Sequence, residues 1–272
     1  MKIKDVLHTL ECFAPLPLQE SYDNAGLQIG LTEAEVSGVL LCLDITEACV
    51  EEAIGRHCNL IVSHHPLLFR PLKQITERDP IQRIVMKAIK NDVAVISMHT
   101  NLDNAIGGVN YKIAEKLGLQ SVELLTEKCI PHISNNGETT GDTLVGGAGI
   151  IADLPQPMAA RDFMQHLKTS LQVPVVQSNA LLTRSIRRVA VCGGSGAFLL
   201  RDAVTAGADA FITGEMHYHD YFFHDQSVQI CVIGHYESEQ FTYEVFEEIL
   251  RKHHPDIDCF IAHSQQNPIL YL

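Results

Sequence analysis

The sequence predicts an α/β protein of two similar, intertwined lobes with mixed sheets, produced by an internal duplication. Three observations carry this prediction. Short runs of apolar, often β-branched residues alternate with longer stretches of helical spacing, the pattern of strand–helix–strand units. The stretch VLLCLDITEACVEEAIGRHCNLIVSHH, from Val39, is echoed without a gap by RVAVCGGSGAFLLRDAVTAGADAFITGE, from Arg188. Cys42 aligns with Cys192, Ala53 with Ala203, Asn59 with Asp209 and Leu60–Ser63 with Ala210–Thr213. The echo continues in DVAVISMHTNLD (Asp92–Asp103) and SVQICVIGHYESE (Ser227–Glu239), each an apolar strand, then a histidine, then a carboxylate four residues on.

Duplicated βαβ-type units imply two lobes related by a pseudo-twofold axis, with matching strand ends facing one another. Strand carboxyl ends at such a place are where α/β proteins set their sites. The first lobe is expected over 1–128, joined by the returning segment 240–272, and the second over 129–239, with the site at the seam. In chain order, DNAGLQIG (Asp23–Gly30) reads as a Gly-punctuated turn into a strand. HISNNGETTGDTLVGGAG (His132–Gly149) reads as loop and strand-edge material where the chain passes between lobes. IADLPQPMAARDFMQHLKTSL, from Ile151, reads as a Pro-rich turn and then an amphipathic helix, FTYEVFEEILRKHH as a further helix, and CFIAHSQQNPILYL as one or two closing strands.

Composition narrows the function classes. With 272 residues, 46% hydrophobic and 19% charged, the chain is globular rather than disordered. A formal net charge of −13 argues against a general binder of nucleic acid or anionic membranes. Asp5, His8 and Glu11 fall within what would be the core of a secretory signal, and no apolar stretch approaches membrane-spanning length, so a cytoplasmic protein is expected. The eight cysteines are scattered with no CxxC, as expected of reduced, buried thiols. Fourteen histidines, several at strand ends, are the unusual feature.

In NLIVSHHPLLF (Asn59–Phe69) a buried strand runs into His64 and His65, and Pro66 ends the ladder. Successive strand residues point to opposite faces, so the two imidazoles are expected to diverge toward separate acceptors, such as a pair of metal ions. The bland alternative is a turn carrying solvated histidines. If a helix begins near His235, His235 and Glu239 share one face at i, i+4, and a glutamate can bridge two ions; alone, that pair is common on surface helices. His99 and Asp103 are its counterparts in the first copy. Three histidines and two carboxylates at duplicated strand ends favour a dinuclear site whose nitrogen and oxygen donors suit Zn²⁺, Fe²⁺, Mn²⁺, Co²⁺ or Ni²⁺. Glu215 is either a general acid or base, with His217 a second proton shuttle, or the residue that orients a ligand histidine. Gly194, Ser195 and Gly196 lie in a strand-to-helix turn that either contacts phosphate or simply turns tightly. A serine hydrolase using Ser195 and His235 is a rival that leaves His64 and His65 without a role.

The motifs YDNAGLQIG, SHHPLLF, HTNLDNA, VCGGSGAF, GADAFITGEMHYHD and GHYESE occur in an order and spacing that resembles the Nif-three-like dinuclear-metal proteins, also called the GTP cyclohydrolase I type 2 family. The resemblance runs from about residue 20 to the C-terminus. It implies a toroidal homohexamer and two divalent metal ions per subunit, held by His64, His65, Asp103, His235 and Glu239, the last bridging. His99 is left to line the site or bind through water. Tyr22 stands where the family usually has tryptophan, and GDTLVGGAGIIADL lacks an arginine-containing glycine pattern.

The function expected is a metal-dependent hydrolase, a GTP cyclohydrolase I type 2 homologue acting on a nucleotide-like substrate, with Glu215 or His99 moving protons. The alternative is a metal-binding hexameric regulatory or scaffold protein without catalysis. A ring that encircles nucleic acid is disfavoured by the acidity.

Overall fold

Short parallel strands with both faces buried organise the protein, seen here in a computed structural model that describes residues 1–133 and 139–272. Two compact units make up the chain: Met1–Leu102 with Thr242–Pro268, and Asp103–Phe241 with Ile269–Leu272.

The first unit opens with α1 (Ile3–Phe13), which buries Ile3, Val6 and Leu10 on one stripe. There follow β1 (Gly26–Ile29), β2 (Val39–Cys42), α2 (Glu47–Gly55), β3 (Leu60–Ser63), α3 (Pro80–Lys90), β4 (Ala94–Ser97) and the short α4 (Thr100–Asp103), whose last residue opens the second unit. The helix starts follow local chemistry. The Thr46 hydroxyl accepts the Cys49 N–H at 3.1 Å, and the Asp79 carboxylate accepts from Ile81 and Gln82 just ahead of Pro80. In the second unit come α5 (Val109–Lys116), β5 (Gln120–Leu124), β6 (Lys128–Ile133), β7 (Thr139–Gly146), β8 (Ile150–Met158), α6 (Ala160–Ser170) and β9 (Gln177–Ser178). After them lie β10 (Ile186–Cys192), α7 (Leu200–Thr205), β11 (Ala210–Thr213), β12 (Gln229–Val232) and α8 (His235–Glu239). The chain then returns to the first unit with α9 (Thr242–His253) and β13 (Cys259–Ile261).

The mixed α/β class expected from the repeat is the one found. In the first unit β2, β3 and β4 are neighbouring parallel strands, with β13 parallel beside β2 and β1 antiparallel beside β4. In the second, β10, β11 and β12 form the same parallel trio, flanked by antiparallel β8 and β9. Registers coincide too: Cys42 faces Ser63 and Ser63 faces Ser97, as Cys192 faces Thr213 and Thr213 faces Val232. β2, β3, β4, β11 and β12 are buried at every position, which is why they read as unbroken apolar runs.

Two readings of the middle of the chain need correction. Ile150–Met158 is not a Pro-rich turn but strand β8, paired antiparallel with β10 and β5. Pro155 and Pro157 fall where its register with β10 shifts between Asp153 and Met158, an irregular stretch that tolerates a missing N–H. Most of His132–Gly149 is strand rather than loop: β6 and β7 form a two-stranded antiparallel ribbon. Residues 134–138 of that segment lie outside the described residues. Of the cysteines expected to be buried, the strand residues Cys42, Cys192 and Cys231 are so, as are Cys49 and Cys58, whereas Cys12 and Cys129 are exposed and Cys259 is half-buried; all eight thiols are free. Among the described residues no helix is long and apolar enough to cross a membrane.

One carboxylate ties the returning C-terminal segment into the first unit. Glu52 on α2 accepts the N–H groups of His263 at 3.1 Å and Ser264 at 2.8 Å and pairs with Arg56 at 2.9 Å. Burial works against its charge, but these donors outweigh it and hold the carboxyl at about 2. Its stabilisation is therefore complete above the ordinary glutamate range and is lost as pH falls toward 2. Glu52→Gln is expected to cost about 1–2 kcal/mol at neutral pH, with the gap to wild type narrowing at pH ~3, as read by urea unfolding at both values.

Candidate metal centre

The first unit gathers three histidines at the carboxyl ends of β3 and β4. β3 stops at Ser63, as Pro66 suggested, and the loop is pinned: Ser63 Oγ donates to the His65 carbonyl at 2.9 Å and pairs with Ser97 Oγ at 2.8 Å. The two adjacent imidazoles do not diverge as strand alternation would have them. Their rings lie 5.0 Å apart, and His99 joins them at 5.3 Å from His64 and 5.4 Å from His65. One ring nitrogen of each lies within 4.8 Å of one from each of the others, a spacing that could hold a metal ion.

What faces the other ring nitrogens is informative. His64 Nδ1 lies 2.8 Å from the Met98 carbonyl, His65 Nδ1 lies 2.8 Å from Asp44 Oδ1, and His99 Nδ1 lies 2.7 Å from Asp23 Oδ1. Each acceptor fixes the proton on Nδ1 and leaves Nε2 as the ligand atom, the usual arrangement around a bound divalent cation. The donor set therefore fits a metal of the kind expected.

Asp23 and Asp44 were not singled out from the sequence. The Asp23 side chain has no solvent exposure and also accepts from Asn24 N–H at 2.7 Å and Thr100 N–H at 3.0 Å. Burial would raise its pKa, but the hydrogen bonds from His99 and Thr100 prevail and hold it at about 2. That gives a role to the turn in YDNAGLQIG. Its neighbour Tyr22, the replacement for tryptophan, is 64% exposed rather than packed in a core. It stands edge-on to Phe69, which in turn contacts the His99 ring.

The second unit gathers its own set around α8. The helix begins at His235, so His235 and Glu239 do share a face: Nε2 lies 3.1 Å from Glu239 Oε2. His235 Nδ1 lies 3.1 Å from Glu215 Oε1, and Ser195 Oγ donates to Glu215 Oε2 at 2.8 Å. Glu239 is 3% exposed. Asp103 ends α4; burial first, then the carboxylates of Asp103 and Glu239, push the Cys192 thiol up, so both acids face the end of β10.

The glycine-rich turn is occupied by the protein itself. Gly193 N–H donates to Asn110 Oδ1 at 2.9 Å, Gly194 N–H to Ser238 Oγ at 2.9 Å and Gly196 N–H to Thr213 Oγ1 at 3.1 Å. These donors favour the tight turn over a phosphate cradle at Gly194, Ser195 and Gly196. Ser195 has a carboxylate as its partner, not the His235 imidazole, so the nucleophile–base contact of a serine hydrolase is not formed. His217 is nearly fully exposed and sits 3.7 Å from Asp220. Asn110 and Ser238 gave no sequence signal, because their partners are backbone N–H groups.

A mixed α/β protein whose strand ends present clustered histidines and buried carboxylates that could hold a metal ion is a candidate metalloprotein. The family model described as Duf34/NIF3 (NGG1p interacting factor 3) matches residues 1–268, and the chain belongs to that family. It is 31% identical over 276 residues to a Clostridium perfringens protein named GTP cyclohydrolase 1 type 2 homolog, with 100% of both covered. A Lactococcus lactis protein of the same name is 32% identical over 272 residues, with 98% of each covered. Among solved structures, a hypothetical protein of Staphylococcus aureus matches with a TM-score of 0.90 at 29% identity, covering 100% of this chain and 99% of that one. A Bacillus cereus protein related to NIF3 matches with a TM-score of 0.86 at 26% identity, with the same coverage.

Proposed function

We propose that the chain is a metal-dependent hydrolase in which His64, His65, Asp103, His235 and Glu239 hold two divalent cations, Glu239 bridging them. The observation that carries this reading is the anchoring of His64 and His65, each with Nδ1 on an internal acceptor that orients the ring for ligation through Nε2; His99 is held in the same way. Bound divalent cations supply a water acidified toward neutral pH and positive charge for the anionic oxygen formed on attack. The protein's own groups do the rest. His99, fixed by Asp23, presents Nε2 to accept and return a proton. Beside Glu215 lies a cavity of about 430 Å³ lined by Ser195, Ala197, Phe198, Glu215, Met216, His217 and Asp220. Its apolar faces and two carboxylates, with neither lysine nor arginine in the lining, favour the base of a nucleotide-like substrate over its phosphates.

The relatives' name brings GTP to the front of the substrates to test. Metal-loaded protein is expected to bind two equivalents by elemental analysis, and His65→Ala and Glu239→Ala are each expected to lose at least one, while Cys49→Ala keeps both. Two equivalents retained in both site variants would sink the ligand assignment. Loss of guanine absorbance on incubation tests GTP; nucleotides, dipeptides and phosphoesters complete the screen, and light scattering tests the homohexamer. A second reading, a metal-binding scaffold without catalysis, is favoured by a run of neighbouring exposed aromatics, Tyr218, Phe222 and Phe223. A contiguous apolar patch of this kind suits a surface covered by a partner.

A further inference from the structure

Ser195 and Glu215 are left without a chemical step, yet they form a polar chain to His235 at the end of the second sheet. Both Glu215 oxygens are engaged: Oε2 accepts the Ser195 hydroxyl at 2.8 Å and Oε1 faces His235 Nδ1 at 3.1 Å. A carboxylate with both oxygens committed is poorly placed to shuttle protons and well placed to hold a ring. Its backbone is fixed as well, since the Glu215 N–H donates to the Gly194 carbonyl at 3.1 Å. The duplication supplies an independent argument. Thr213-Gly214-Glu215 occupies the strand-end position of Ser63-His64-His65, and Gly194-Ser195 that of Asp44-Ile45. In the first unit this contact is Asp44 to His65, an acid fixing an imidazole at 2.8 Å. In the second, the imidazole has become Glu215 and the acid a neighbouring hydroxyl, so the contact now reaches one residue further, to His235.

We propose that Ser195 and Glu215 form a two-residue clamp that positions the His235 imidazole, holding a proton on Nδ1 and turning Nε2 toward Glu239, the carboxylate that would share its metal. The clamp makes Glu215 a positioning residue and gives the serine of the GGSG turn a role that is neither nucleophile nor phosphate contact. The inference rests on the reading of His235 as a metal ligand, but the clamp itself is testable without metal.

The experiment uses the full-length chain. In chelator-treated protein, the slowly exchanging, downfield Nδ1–H proton of His235 is found by NMR, assigned by its absence in His235→Ala. In cobalt-loaded protein, Co²⁺ affinity is measured by competition with a chromophoric chelator, together with the visible spectrum. Glu215→Ala is expected to abolish the Nδ1–H resonance, weaken Co²⁺ binding about 10–100-fold and change the spectrum. Ser195→Ala is expected to speed exchange of that proton with a smaller loss of affinity. Glu215→Gln, whose carbonyl oxygen still accepts, is expected to keep the resonance and most of the affinity. A Glu215→Ala protein that keeps the protected resonance overturns the clamp, whether or not metal binds. A wild-type chain that shows the resonance, loses it in Glu215→Ala, yet takes up no Co²⁺ supports the clamp and overturns the metal reading instead.

Discussion

Asp23→Ala is expected to lower the unfolding free energy by about 3 kcal/mol, the scale expected when a buried carboxylate that accepts several hydrogen bonds is removed and its donors are left unpaired. The carboxylate has no solvent exposure, so every acceptor position it fills is one that water does not replace. It takes hydrogen bonds from His99 Nδ1, the Thr100 N–H and hydroxyl, and the Asn24 N–H. Alanine leaves the Thr100 N–H and the His99 Nδ1–H facing a void, and buried donors without acceptors cost about 1–3 kcal/mol each. Because burial is outweighed and the carboxyl is held at about 2, the group is fully charged at neutral pH. Asp23→Asn keeps the shape and one acceptor oxygen, so about half the loss is expected. Urea unfolding at pH 7 measures both. A change under about 0.5 kcal/mol in Asp23→Ala would place the pair among surface contacts of little weight.

This residue also shows what the sequence made legible and what it hid. His64 and His65 stood out because imidazoles at the mouth of a β-branched run are chemically odd, and the strand end that exposes them is announced by Pro66. Their carboxylate partners carry no such mark. Asp23 lies 76 residues from His99 along the chain, and Asp44 lies 21 from His65; the antiparallel pairing of β1 with β4 brings the first pair together and the parallel pairing of β2 with β3 the second. The duplication was visible because its strands are fully buried, which forces apolar identity at each position. Strand β8 was missed for the opposite reason: proline signals a turn unless a bulge absorbs it, and bulges are written in pairing rather than in composition. The GGSG turn stays open between a phosphate contact and a tight turn in the sequence because backbone donors are invisible there, and in the structure side chains from Asn110, Ser238 and Thr213 already take them.

Gly194→Ala is the substitution expected to damage the second unit's cluster around α8 most. Gly194 has a φ of +60°, where a side chain costs about 1 kcal/mol or more. A Cβ there would overlap Oε1 of Glu239, a side chain only 3% exposed and already held against His235, so it has little room to yield. The same residue donates to Ser238 Oγ and accepts from the N–H groups of Gly214 at 3.0 Å and Glu215 at 3.1 Å, so any backbone shift moves the end of β11 as well. The conformational and overlap costs together come to about 2–4 kcal/mol. Gly207→Ala separates the two: its φ is +75° and a Cβ there meets nothing within 4 Å, so it carries the conformational cost alone, about 1 kcal/mol. If Glu239 bridges a pair of cations, Gly194→Ala loses bound metal and Gly207→Ala does not, a contrast that elemental analysis of the two variants reads directly. Equal metal content in both would mean that the crowding at Gly194 serves packing alone.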